Sequence, residues 1–127
     1  MPRDPIPDDV RRFVLTSIPS VPFVEAMLLF KTLSGQPVET AKVAERLYIA
    51  EKSAAGLVQQ LEAARVVEAT DDPAMHRYAP EPALAAMLDR LAHAYVHDLI
   101  GITALIHSRT ERKAQQFADA FKFRKDS

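Results

Sequence analysis

The chain has no cysteine, no tryptophan and only three glycines. Without thiols there is no disulfide scaffold and no cysteine nucleophile. Thiolate zinc sites and iron–sulfur centres are excluded for the same reason. Gly35, Gly56 and Gly101 stand far apart, so no glycine-rich phosphate loop exists and nucleotide chemistry is not expected. No nucleophile elbow of the GxSxG type occurs, and nothing in the spacing assembles Ser, His and Asp into a triad. The expectation is therefore a protein that is not an enzyme and needs no cofactor. No run of 18 apolar residues is present, so no membrane span is expected. The opening MPRDPIPDD lacks the apolar core of a secretory leader, and a cytoplasmic location follows as an expectation. An excess of one charge is also missing. Sixteen basic side chains face seventeen acidic ones, a net charge of −1, which is not the basic footprint of a strong DNA binder.

What is present suffices for a core: 48% of the 127 residues are hydrophobic, which excludes a wholly disordered chain. The reading is a mainly α protein with a small β-hairpin. Residues 1–22 read as an N-terminal arm and a short helix, with Pro2, Pro5 and Pro7 in the arm and Val10 to Ile18 helical. Ser20 stands where a helix N-cap belongs, with Pro22 in the first turn. From Phe23 to Ser34, Phe23, Ala26, Met27, Phe30 and Leu33 fall on one helical face, and Gly35 and Pro37 stop the helix. A short helix over Glu39–Leu47 turns Val43, Ala44 and Leu47 inward. Tyr48, Ile49 and Ala50 make a tight turn. A third helix over Glu51–Ala64 carries Ala54, Leu57, Val58 and Leu61 at three- and four-residue spacings. The period then changes to that of strands at 66–70 and 76–79, around an Asp71-Asp72-Pro73-Ala74 turn.

The stretch VAERLYIAEKSAAGLVQQLEAARVVEATDDPAMHRYAPEP resembles the MarR-like winged helix-turn-helix transcription regulators, over roughly residues 23–82. It shares with them a small-residue helix, a turn with a buried aliphatic, a second helix ending in a Leu–acid pair, two aliphatics and a charged hairpin. Ala44 is small where two helices cross, and Ile49 plugs the corner between them. Residues 23–82 are thus expected to form a winged helix-turn-helix whose helix at 51–64 enters the major groove of double-stranded DNA. Its outward residues are Lys52, Ser53, Ala55, Gly56, Gln59 and Gln60. Gln59 and Gln60 suit adenine edges, while Lys52 and Ser53 suit phosphate or base. Arg77 on the 66–79 wing is expected to reach the minor groove or a phosphate, with His76 beside it. The resemblance also implies a small-molecule effector site, for which Met27, Met87 and Tyr95 offer an apolar lining. Departures from the pattern are Ala50 where a capping Ser or Thr is usual, Gly56 where a polar contact is frequent, and Arg65 in place of glycine after the helix. Residues 23–82 carry six basic and nine acidic side chains. That acidity keeps open a second reading from another class, a winged-helix interaction module that docks a protein.

Residues 83–127 read as one long helix to about Phe121, followed by a basic tail. Leu84, Leu88, Leu91 and Tyr95 form a stripe, and from Tyr95 to Ile106 the helix is apolar almost all round. A helix apolar on every side needs neighbours on every side, and a second copy of the chain is the simplest one. Leu91, Tyr95, Leu99, Ile102, Leu105 and Ile106 are the expected homodimer interface, with Gly101 permitting a close crossing. A two-fold dimer would set two recognition helices about 34 Å apart, one per major groove. Phe117, Phe121 and Phe123 are expected to fold the tail back onto a core. Asp89, His93 and His97 share a helix face at four-residue spacing, but no HExxH motif accompanies them and no metal is expected.

Overall fold

The computed structural model describes residues 6–109 and is mainly helical, with one small antiparallel sheet. The described residues fall into two compact units, Val21–Ala92 and a second formed by the segments that flank it, 6–20 and 93–109.

In the first unit α2 (Val21–Thr32) follows Ser20, and Pro22 is tolerated because first-turn N–H groups have no intrahelical acceptor. Phe23, Val24, Ala26, Met27 and Phe30 are buried, and Gly35 at φ +89° turns the chain away at its end. Next come β1 (Val38–Glu39), α3 (Thr40–Leu47), α4 (Glu51–Ala63), β2 (Val67–Ala69) and β3 (Met75–Tyr78). α3 and α4 pack on each other, and α2 packs against both. The stripes of the sequence form this core, with Val43, Ala44, Ala54, Leu57, Val58 and Leu61 all buried. Strand β1 has no counterpart in the sequence reading, since two residues carry no period. It pairs antiparallel with β3, Val38 opposite His76 and Glu39 opposite Met75, and the sheet order is β1–β3–β2. Thr70 closes the hairpin turn by donating its hydroxyl to the carbonyls of Asp72 (3.0 Å) and Met75 (3.1 Å). The Asp72 carboxylate accepts from the Ala74 N–H at 2.9 Å.

Helix α5 (Pro82–His97) leads the chain out of the first unit, with Leu88 and Leu91 fully buried. The expected single helix to Phe121 does not form. It breaks at Asp98, and a new helix, α6 (Leu99–Arg109), begins. Asp98 caps α6: its Oδ1 accepts from the N–H of Gly101 at 2.9 Å. A Cβ on residue 101 would lie 2.7 Å from Cγ and 2.9 Å from Oδ1 of Asp98. Glycine there makes room for the cap. The reading of 110–121 as helix, of the tail's phenylalanines as core and of residues 1–5 as an arm lies outside the described residues.

The second unit also contains α1 (Asp8–Ser17), where Val10 and Val14, with Ile18 just after the helix, form a fully buried row at four-residue spacing. Asp8 and Asp9 sit in the first turn, where negative charge suits the helix dipole. In α6, Ile102 and Ile106 are buried, and the Arg109 guanidinium donates to the Ile18 carbonyl at 2.6 Å. Among the described residues no single helix is long and apolar enough to cross a membrane.

Candidate nucleic-acid interface

The buried row Ala54, Leu57, Val58 and Leu61 faces α4 inward and leaves Lys52, Ser53, Ala55, Gly56, Gln59 and Gln60 exposed. Among the described residues, the side chains of Lys52, Ser53, Gln59 and Gln60 have no intramolecular hydrogen bond or ion pair. The N-cap residue, Ala50, supplies no side-chain cap, so the first-turn N–H groups of α4 are also left open.

The strand register separates His76 from Arg77. Val38, Ala69 and His76 share one face of the sheet, where Val38 is buried. His76 lies on that side with its side chain only 13% exposed, and its Nε2 meets Glu62 Oε1 of α4 at 3.1 Å. It is a tie between the hairpin and α4, which corrects its expected part in an exposed contact. Its Nδ1 is buried without a hydrogen-bond partner. Arg77 lies on the opposite face with its cross-strand neighbour Glu68, Nη1 to Oε1 being 3.8 Å. The arginine is half-exposed and reachable, but an adjacent carboxylate offsets its charge.

Tyr78 stands near the start of α5. Burial, and secondarily the negative charge of Asp89, pushes its phenol up to about 12. Asp89 itself pairs with Lys31 at 3.1 Å. Along the Asp89–His93–His97 stripe, Asp89 pairs with Lys31, and the His93 and His97 rings stack tilted, centroids 4.2 Å apart. Among the described residues no three His, Asp or Glu side chains converge as metal ligands.

Two left-handed residues bracket α4. Tyr48 has φ 57° and Arg65 φ 63°. Each ends a helix with the same paired bonds. The Tyr48 N–H donates to the Glu45 carbonyl (3.4 Å) and the Ile49 N–H to that of Ala44 (3.0 Å). Likewise Arg65 donates to Glu62 and Val66 to Leu61, both at 2.9 Å. Glycine fits such a position freely, and a residue with a Cβ costs about 1–2 kcal/mol there. Tyr48 projects into solvent, 95% exposed. The sequence reading treated it as a turn residue only. The usable signal was an aromatic side chain where a turn favours glycine.

The expected dimer residues divide. Leu91, Ile102 and Ile106 are fully buried within the chain, so they do not form a surface. Tyr95 and Leu105 are partly buried, and Leu99 is exposed. The apolar surface around the α5–α6 break is Val96, Leu99 and Ile100, exposed at 75, 52 and 71%. Of the residues suggested for an effector site, Met27 is fully buried in the first unit's core.

The chain matches no protein-family model, no curated protein and no solved structure.

Proposed function

We propose that the chain is a DNA-binding transcription regulator of the winged helix-turn-helix type, acting as a homodimer. The observation that carries this reading is the element order α2–β1–α3–α4–β2–β3 together with the sheet order β1–β3–β2. That order is expected of a winged helix, and it leaves α4 with an unoccupied polar face beside a hairpin. In this reading Lys52, Ser53, Gln59 and Gln60 enter the major groove, and Arg77 meets the backbone or minor groove. The resemblance to MarR-like regulators points the same way. Val96, Leu99 and Ile100 are the apolar residues available for a second copy of the chain.

A second reading has its own support. The acidic balance of residues 23–82 and the Glu68 carboxylate beside Arg77 favour a winged-helix module that docks a protein. Titration with salt of labelled duplex DNA from upstream of the protein's own gene separates the two. Affinity that falls steeply with salt, with the log–log slope reduced by about 2 in a Lys52→Ala, Arg77→Ala double variant, supports the regulator. No binding at low salt sinks it in favour of the docking module.

A further inference from the structure

We infer that Tyr48 is a backbone contact to duplex nucleic acid, its phenol hydroxyl donating to a phosphate oxygen at the entry to α4. The inference rests on the DNA-binding reading above and names a residue that the motif did not supply.

Three observations meet at this side chain. Its backbone is left-handed, at φ 57° and ψ 45°, where glycine would be unstrained. Its ring is 95% exposed, and among the described residues its hydroxyl has no hydrogen-bond partner, so the fold gains nothing from it. It stands between the ends of α3 and α4, with exposed charges of both signs in the adjacent turns: Lys42, Glu45 and Arg46 before it, Glu51 and Lys52 after it. A strained residue whose side chain makes no hydrogen bond within the described residues points to a contact outside the chain. A neutral phenol hydroxyl suits a phosphate backbone, which tyrosine hydroxyls contact without reading sequence. Arg65 is the internal comparison. It has the same backbone strain at the opposite end of α4, but carries the type of side chain that water solvates readily.

The test uses the full chain and a fluorescently labelled duplex, with the wild type compared to Tyr48→Phe, Tyr48→Gly and Lys52→Ala. Tyr48→Phe is expected to weaken binding by about tenfold, as for loss of one hydrogen bond to a charged acceptor. The loss should be equal on unrelated duplexes, because a phosphate contact carries no sequence. The phenol is neutral and releases no counterion, so the salt slope should stay at the wild-type value, whereas Lys52→Ala lowers it by about 0.9. Tyr48→Gly should weaken binding at least as much while melting about 4 °C higher, because glycine relieves the strain. Wild-type protein that binds with both Tyr48 variants equally tight overturns the inference and leaves the DNA reading standing. Wild-type protein that binds no duplex at low salt overturns both. Tyr48→Gly melting below wild type overturns the claim that the fold gains nothing from the ring.

Discussion

Replacing Gly101 with alanine is expected to give no stabilisation, although glycine inside a helix is normally a weakness. Alanine in a helix interior gains about 0.8–1 kcal/mol over glycine. At Gly56 in α4 nothing lies within 4 Å of an added Cβ, so Gly56→Ala should deliver that full gain. At Gly101 the Cβ would fall 2.7 Å from Cγ and 2.9 Å from Oδ1 of Asp98, and the carboxylate must swing away. That breaks its bond to the residue 101 N–H, and losing an N-cap costs about 1 kcal/mol, up to about 2. The two terms cancel or leave a small loss. Urea unfolding followed by circular dichroism, with free energies from linear extrapolation, reads the difference. The cap argument also predicts a coupling. In an Asp98→Ala background the carboxylate is gone, and Gly101→Ala should regain about 1 kcal/mol. Gly101→Ala stabilising the wild type as much as Gly56→Ala does, or a cycle with no coupling, would refute the reasoning.

Three further outcomes follow from the same geometry. On the proposed homodimer reading, Val96→Glu with Ile100→Glu should abolish self-association, read by sedimentation, and leave unfolding within about 0.5 kcal/mol of wild type because both positions are exposed; Ile102→Glu should unfold the chain. On the proposed DNA-binding reading, Glu68→Gln should tighten binding to duplex DNA by releasing Arg77, and should alter stability by less than about 1 kcal/mol, as for an exposed ion pair. The Tyr78 phenol is raised in the folded chain, so it keeps its proton where the unfolded chain has lost it. Stability from this group is therefore complete below pH 10 and is lost as pH rises through about 12. Ultraviolet titration of Asp89→Asn should move the phenol part-way back toward 10, burial being the larger cause.

The helices of the first unit were legible because each carries an apolar stripe of helical period that one core could bury. The α4 stripe Ala54, Leu57, Val58 and Leu61 is buried as its spacing predicts, which by itself exposes Lys52, Ser53, Gln59 and Gln60. The hairpin was legible from its Asp-Asp-Pro turn and the change of period. Strand β1 was not, because Val38 and Glu39 become a strand only by pairing with β3, a partner 36 residues away at Met75. The helix break was missed for a related reason. Apolar residues on either side of Asp98 read as one run, and a single capping carboxylate outweighs the pattern locally.

Local order, then, was determined by the sequence alone, because hydrophobic period and turn chemistry act between near neighbours. Helix positions, the inward face of α4 and the exclusion of thiol chemistry all belong to that level. The tertiary structure decided which polar side chains remain free. Pairing across the sheet turned His76 onto Glu62 and set Arg77 beside Glu68. Packing enclosed Leu91, Ile102 and Ile106 and left Val96, Leu99 and Ile100 outside. It also held Tyr48 in a left-handed turn with its ring in water. Each of these depends on residues distant in the chain meeting in space, which no local period encodes.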